Sequence, residues 1–286
     1  MKQWKYALPL VVMTSTSQAA YVKLGDWQSD GSGVNWEMGE QETRVTQLNN
    51  GGPSTFFSGM SGLNKSVKGQ FAVSGEDDDY VGFVLGYNAG EAFASQTDFL
   101  LIDWKKAGQT NGTLGLASRG LAISYVSQGL GAVAGGDGNV TDSWSKTWTH
   151  DSDEGVTELK RGENLGDEGW ETGNFDEEAS EDNAVYTFEI NYSSDLVEVF
   201  IDDELEISLT AEEAVNAGID LPDGFTDGGF GFYNFTQDDT TFGNVEITEL
   251  AQAQNPSIAA VSAPATALLF GGGLAGLFLR RNRKTS

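Results

Sequence analysis

Four acidic residues stand together in the middle of the chain and are the side chains best suited to hold an ion. The run from Glu76 through Asp77 and Asp78 to Asp79 lies between two segments rich in β-formers. Like charges packed this closely repel, so such a cluster faces either bulk water or a bound cation. Calcium takes about six to eight oxygens from carboxylates and backbone carbonyls. We predict Asp77, Asp78 and Asp79 as calcium ligands, with a solvated acidic turn as the alternative.

A further acid, Asp103, interrupts the apolar run F-L-L-I-D-W beside Trp104. A carboxylate within a buried strand needs a partner, because burying an unpaired charge is costly. Two interpretations remain open for Asp103: it is a fourth calcium ligand, or it pairs with a lysine.

Residue types argue against most catalytic centres. The single histidine, His150, disfavours both a His-based zinc site and a Ser-His-Asp triad. Glycoside hydrolysis needs two facing carboxylates, and Asp202 and Asp203 are candidates for such a pair. They fall at a hairpin turn and not along a strand that faces a cleft, so we predict no enzymatic activity.

Two weaker patterns have simpler explanations. The indole rings of Trp144, Trp148 and Trp170 would suit a sugar-stacking platform, but large aromatic side chains more often anchor a core or a loop. The acidic stretch at residues 151–155 lacks the downstream ligands of an EF-hand loop. We predict it to be part of a surface loop over residues 151–180.

The elements that position these residues are mainly strands, because short runs of β-formers alternate with turn residues. The predicted strands cover residues 36–47, 55–57, 68–74, 80–87, 99–104, 120–126, 185–192, 196–201, 205–209, 228–235 and 242–250. A capping box from Thr210 to Glu213 predicts one short helix at residues 211–217. Alternate glycines at 82 and 86 suggest close approach of a second layer. The fold class is therefore all-β, a two-sheet antiparallel β-sandwich of the jelly-roll type.

The N-terminal residues 1–19 have the order of a secretory signal peptide. Lys2 and Lys5 come first, a short apolar core follows at residues 7–13, and a small-x-small sequence ends at Ala19, the predicted cleavage site. That core is too short to span a bilayer. An ordinary buried N-terminal strand is the alternative.

The C-terminal end has the reverse order: a linker at residues 251–260, a short proline motif, a membrane helix at about residues 265–279 and a basic cluster. This tail resembles the PEP-CTERM sorting signal of Gram-negative bacteria over residues 261–286. The resemblance implies an exosortase-type processing enzyme, transient anchoring in the inner membrane and a final place in the cell envelope or outside it. A plain C-terminal anchor is the alternative. The residues that carry the resemblance are Val261, Ser262, Ala263, Pro264, Arg280 and Arg281.

The net charge limits the classes of molecule that the chain can bind, and the cysteine content limits how the domain can be stabilised. All 43 acids but only 10 of the 16 bases lie between the two end segments, which gives that part a net charge of −33. Such a charge excludes nucleic acid and anionic lipid as partners and suits divalent cations. A salt-adapted surface is the alternative explanation. The chain has no cysteine, so the core must stabilise the domain without disulfides.

Several segments together resemble the C-terminal domain of thrombospondins, a jelly roll of the concanavalin-like lectin type. They are V-T-Q at 45–47, P-S-T-F-F-S at 53–58, G-Q-F-A-V at 69–73, D-D-D-Y-V-G-F-V-L-G-Y at 77–87, F-L-L-I-D-W-K-K at 99–106 and G-F-G-F-Y-N-F-T-Q at 229–237. The resemblance covers residues 36–250 of a predicted domain at 20–250. The Asp-rich repeats that precede the domain in animal thrombospondins are absent from this sequence.

The resemblance implies a secreted or cell-surface calcium-binding protein that mediates adhesion or contact with extracellular matrix or exopolysaccharide. The expected partners are an extracellular polysaccharide or a cell-surface molecule. Two alternatives remain: a polysaccharide-active enzyme of the concanavalin-like class, and a passive structural protein of the cell surface.

Overall fold

The computed structural model describes residues 21–111, 115–131, 147–150 and 152–250. The predicted signal peptide with its cleavage site at Ala19, the linker at 251–260 and the sorting signal at 261–286 lie outside the described residues. The chain divides into two units, Met1–Leu250 and Ala251–Ser286, and every described residue belongs to the first. Among the described residues, no helix is both long and apolar enough to cross a membrane.

Two large sheets account for most of the described chain, and every strand pair in them is antiparallel. The first sheet has the order β1 (Gln28–Gly31), β4 (Ser54–Ser61), β15 (Gly229–Phe235), β6 (Tyr80–Tyr87), β7 (Phe99–Lys105), β10 (Gly120–Val126) and β11 (Val156–Arg161). The second has the order β14 (Glu204–Thr210), β13 (Leu196–Ile201), β12 (Tyr186–Tyr192), β5 (Lys65–Val73), β16 (Thr240–Glu249), β3 (Arg44–Gln47) and β2 (Trp36–Met38).

The remaining regular elements are small. Strands β8 (Gln109–Asn111) and β9 (Gly115–Ala117) pair with each other, and a 3₁₀ turn lies at Ser152–Glu154. A short helix at Ala211–Asn216 begins with the predicted capping box, in which the side chains of Thr210 and Glu213 each bond the other's backbone. The architecture confirms the predicted all-β, two-sheet antiparallel sandwich.

The core between the two sheets combines aliphatic side chains with many aromatic rings. Phe232 of the first sheet stacks on Phe242 of the second with ring centroids 4.5 Å apart, and Phe83 meets Phe188 at the same distance. Burying such rings supplies much of the stabilisation of a domain without disulfides.

A second apolar cluster lies on the face of the first sheet that points away from this core. It includes Phe57, Tyr80, Tyr87 and Phe99 from the strands and Trp148 from a covering segment. The central strands β6 and β7 are therefore buried at every position, as the nearly continuous apolar run at residues 99–104 predicts. We call this second side the outer face, and it positions the residues described below.

The structure departs from the sequence predictions in several places. The predicted strand at 36–47 is a hairpin of β2 and β3, with Glu42 in the left-handed region at φ 56°. The predicted surface loop at 151–180 contains strand β11, which pairs with β10. The close approach at Gly82 comes from the neighbouring strand and not from a second layer, because a Cβ there would lie 2.0 Å from the carbonyl oxygen of Ile102.

Candidate functional site

The acidic turn joins β5 to β6, two strands that belong to different sheets. One carboxylate oxygen from each of Asp77, Asp78 and Asp79 lies within 4.8 Å of the others. Asp79 is buried and the other two are half-buried. The structure thus brings the three predicted ligands together, while Glu76 and Asp103 lie outside this group.

Hydrogen bonds from neighbouring segments fix the shape of the turn. The backbone N–H of Asp78 donates to Asp77 Oδ1 at 2.9 Å, and Asn50 Nδ2 donates to Asp77 Oδ2. The backbone N–H of Asp79 donates to Gln237 Oε1 at 3.4 Å. The turn is therefore tied to loops that precede β4 and follow β15.

Lys105 is the base that faces the turn, and its side chain is fully buried. Its Nζ donates to Asp79 Oδ1 at 2.6 Å and to the Asp78 carbonyl oxygen at 3.1 Å. The ammonium group also lies over the rings of Tyr80 and Trp148, 4.8 Å and 4.9 Å from their centroids, a favourable place for a cation.

The contact with Lys105 compensates the three acids to different extents. Burial raises the pKa of Asp79, and the adjacent Lys105 ammonium opposes that rise. Asp78 Oδ1 is buried and has no hydrogen-bond partner in the described part of the chain. Lys105 therefore compensates one carboxylate of the group, and an oxygen of a second one remains without a donor.

Asp103 belongs to a different network on the outer face. It is fully buried, and its Oδ2 lies 2.9 Å from His150 Nε2. The other ring nitrogen of His150, Nδ1, lies 3.1 Å from Glu158 Oε2. The partner of this carboxylate is thus a histidine, which corrects the lysine pairing that the sequence suggested.

Charges in this network reinforce one another. Burial opposes the charge on His150, but Asp103 and Glu158 outweigh it and raise the pKa of His150 to about 10. Arg161 donates to Glu158 from Nε at 3.0 Å and from Nη2 at 2.7 Å. Burial works against ionisation of Glu158, but His150 and Arg161 together lower its pKa. His150 is therefore an imidazolium held between two carboxylates, and only 7% of its side chain is exposed.

Trp148 and Trp170 stabilise the fold. Trp148 is 5% exposed and Trp170 is fully buried, with Trp170 Nε1 donating to the Asp79 carbonyl oxygen at 3.1 Å. This confirms the anchoring interpretation for both, while Trp144 lies outside the described residues. Asp202 and Asp203 form the predicted hairpin turn, at φ 51° and 65°.

Sequence reasoning missed Lys105 and His150 as partners of the buried acids. A signal existed in β7, because Asp103 and Lys105 stand two positions apart in an otherwise apolar strand and so face the same side of the sheet. Two opposite charges on one buried face require partners from elsewhere. The identity of those partners, 26 or more residues away in sequence, depends on the packing of the whole domain.

No family model matches the chain, and no curated protein matches it either. The structure is similar to the carbohydrate-binding module CBM66 from Bacillus subtilis, with a TM-score of 0.44 and 11% identity over 78% of this chain and 94% of that one. It is also similar to a Bacillus subtilis protein of unknown function with a galectin-like fold, with a TM-score of 0.46 and 10% identity over 79% and 90%.

A third similar structure is the exoplasmic/lumenal domain of VIP36 in a form bound to Ca²⁺ and mannose. Its TM-score is 0.43, and the identity is 15% over 79% of this chain and 84% of that one. Likenesses of this size do not extend to ligands. The site therefore has to be interpreted from its own residues.

Proposed function

We propose that this chain is an exported, calcium-stabilised β-sandwich protein that contacts polysaccharide or a cell-surface partner outside the cell. The observation that carries the proposal is the convergence of Asp77, Asp78 and Asp79 within 4.8 Å beside the buried base Lys105. Carboxylates held this close repel one another unless a cation lies among them. A divalent ion would remove that repulsion.

The donor set fits calcium. Carboxylate oxygens are hard ligands, and the buried Asp78 Oδ1 has an unused lone pair. Asp77 and Asp78 would be the main ligands, because Lys105 already compensates Asp79. Water would complete the coordination shell. A site with two main carboxylates is expected to resemble extracellular modules, with a dissociation constant of about 10⁻⁴ to 10⁻³ M.

Export is part of the proposal and is supported by the order of charge, apolar core and small residues at 1–19 and by the composition of the C-terminal tail. Millimolar calcium outside the cell would fill a site of this affinity. The tail supports the further proposals of inner-membrane anchoring and exosortase processing, and the net charge of −33 on the intervening chain disfavours nucleic acid.

A binding role is proposed in preference to catalysis. Asp103 and Glu158 are the two carboxylates that share a partner on the outer face, and the ring of His150 occupies the space between them. A glycosidase needs room for a sugar or a water between its acids. The charged imidazole takes that room.

Calcium titration of the purified full-length chain tests the metal claim, by calorimetry and by thermal melting. We expect binding at about 10⁻⁴ to 10⁻³ M and a higher melting temperature at millimolar calcium. The variant Asp77→Asn/Asp78→Asn should lose both effects. The variant Glu181→Gln/Asp182→Asn removes two exposed acids elsewhere and should keep them; equal loss in both variants would reduce the effect to general charge screening.

A further inference from the structure

A pocket of about 380 Å³ opens beside β15, away from the acidic turn. Two irregularities in the sheet produce it. On the β4 side, residues 58–60 bulge out opposite Phe230 alone. On the β6 side, Gly86 is left out of the pairing and has φ +75°. Bulges of this kind bend strands and often adjoin binding sites.

Glycines let the strands meet at this point. A Cβ on Gly229 would lie 2.0 Å from the Ser58 carbonyl oxygen, and one on Gly228 would lie 2.2 Å from the Gly86 carbonyl oxygen. Gly59, on the bulge, differs: a Cβ there would meet no atom within 4 Å. Because Gly59 lines the pocket, a larger side chain there would be placed at its wall without clashing with the backbone.

Polar side chains line the pocket and are already held in place. Asp227 Oδ1 accepts a hydrogen bond from Ser61 Oγ at 2.5 Å. Asn88 Nδ2 donates to the Gly86 carbonyl oxygen at 3.3 Å and to Glu91 Oε1 at 3.4 Å. These two bonds use both N–H donors of the amide, but the Asn88 amide oxygen and the Asp227 carboxylate can accept further hydrogen bonds, so both retain acceptor capacity for a ligand.

Two aromatic rings also line the pocket. Phe57 and Tyr87 pack edge to face with centroids 5.0 Å apart, and Tyr87 Oη donates to Asp30 Oδ2 at 2.8 Å. Both residues are at least 97% buried, so their contribution to the pocket wall is small and rigid. A few fixed polar groups beside an apolar surface are typical of small-molecule sites of this volume.

The charge of the pocket limits the ligand class. No lysine or arginine is among the described residues that line it, and Asp227 is negative, as is the protein with its net charge of −27. Carboxylate, sulfate and phosphate groups would be repelled. Hydroxyl groups, in contrast, can donate to the Asp227 carboxylate and to the Asn88 amide oxygen. We infer that the pocket formed by Asp227, Asn88 and the β4 bulge binds the hydroxyl-rich rings of an uncharged polysaccharide.

This inference rests on the proposed contact with polysaccharide and gives that contact a place and a ligand class. It does not depend on the calcium site, because no member of the acidic turn lines the pocket. The two claims can therefore fail separately.

The test measures binding of the full-length chain to neutral oligomers of glucose, mannose and galactose and to oligogalacturonate. We expect a neutral oligomer to bind and oligogalacturonate to bind at least tenfold more weakly. Gly59→Trp and Asp227→Asn should each weaken the neutral ligand at least tenfold, while the exposed control Asp223→Asn and the calcium-site variant Asp77→Asn/Asp78→Asn retain wild-type affinity.

Each contrary result overturns a different claim. Binding that is unchanged in Gly59→Trp and Asp227→Asn would remove the pocket but keep the polysaccharide contact. Tighter binding of oligogalacturonate would overturn the ligand class. Failure of the wild-type chain to bind any of the oligomers would overturn both the pocket and the proposed polysaccharide contact, whatever calcium does.

Discussion

Two groups of acids in this sandwich face the same electrostatic problem and differ in how it is resolved. On the outer face, the buried Asp103 and the exposed Glu158 lie on either side of His150, and Arg161 adds a second base. At the acidic turn, three carboxylates converge around Lys105. Each group has one buried carboxylate oxygen, Asp103 Oδ1 or Asp78 Oδ1, that has no donor among the described residues. The groups differ in charge balance, because the described part of the chain gives the first group as many bases as acids and the second group fewer bases than acids.

The contrast indicates which of the two groups has a contribution to stability that depends on the cations in solution. A network that carries its own counter-charges contributes to folding without a ligand. A group with excess carboxylates gains stability only when a cation arrives, so its contribution varies with the calcium concentration. The predictions below separate these two behaviours, beginning with the base that the acidic turn does possess.

The largest expected effect follows from removing Lys105. Lys105→Met leaves Asp79 buried without its base, and breaking a buried pair in this way costs about 3–5 kcal/mol of unfolding free energy. Urea unfolding in EDTA measures the loss. Lys68→Met is the control, because the Lys68 side chain is 46% exposed in its ion pairs with Glu189 and Asp203 and should cost about 1 kcal/mol or less.

Calcium should partly restore Lys105→Met, because the ion can then compensate Asp79 as well as its neighbours. We expect a larger calcium-dependent gain in melting temperature for this variant than for the wild type. An equal gain in the two proteins would show that Lys105 and the ion do not share the same carboxylates.

The outer-face network should show its effect as a dependence on pH. The pKa of His150 is raised to about 10 from an ordinary value of 6.5. Its contribution is therefore complete below pH 6.5 and is lost as pH rises to 10, with a slope on the order of 1 kcal/mol per pH unit. Unfolding free energies at pH 7, 8.5 and 10 measure this slope, which Asp103→Asn/His150→Gln should abolish.

At acidic pH, the same network should lose stability as the pH falls and not as it rises. The pKa of Glu158 is lowered from 4.5, so its contribution is present above pH 4.5 and is lost as pH falls further. Neither the loss of stability above pH 6.5 nor the loss below pH 4.5 should change with the calcium concentration. A calcium-dependent slope between pH 7 and 10 would contradict the separation of the two groups.

The smallest expected effect is that of the metal itself. At a calcium concentration ten times the dissociation constant, the wild type should gain about 1.4 kcal/mol. Asp77→Asn/Asp78→Asn should gain nothing, and in EDTA it should be slightly more stable than the wild type, because like-charge repulsion is gone. Thermal melting of the wild type and the variant, each in EDTA and in calcium, measures both effects. If the variant is less stable than the wild type in EDTA, these acids stabilise the turn through their hydrogen bonds.

Much of the fold follows from local sequence. Strand β6 occupies the predicted residues 80–87 because acids precede it and a single alternating pattern fills it. The helix begins at Ala211 because Thr210 and Glu213 satisfy its first backbone donors. Strands β1 and β11 were missed, since Q-S-D-G and V-T-E-L-K-R have weak patterns and acquire strand structure by pairing with β4 and β10.

The site was predictable in part. The clustering of Asp77, Asp78 and Asp79 follows from their adjacency in a turn, and the need of Asp103 for a partner follows from its apolar surroundings. The choice of His150 could not be predicted, because it depends on a covering segment that packs on the outer face 47 positions later in the chain. The pocket was likewise hidden, since bulges in β4 and β6 are properties of strand register.

The central claim, a calcium ion at the acidic turn, is tested most directly by a crystal structure from calcium-containing buffer with anomalous data. We expect an anomalous peak about 2.3–2.6 Å from carboxylate oxygens of Asp77 and Asp78, with Asp79 still bonded to Lys105. A map with no peak there at ten millimolar calcium, and with the three acids directed apart into solvent, would contradict the proposal.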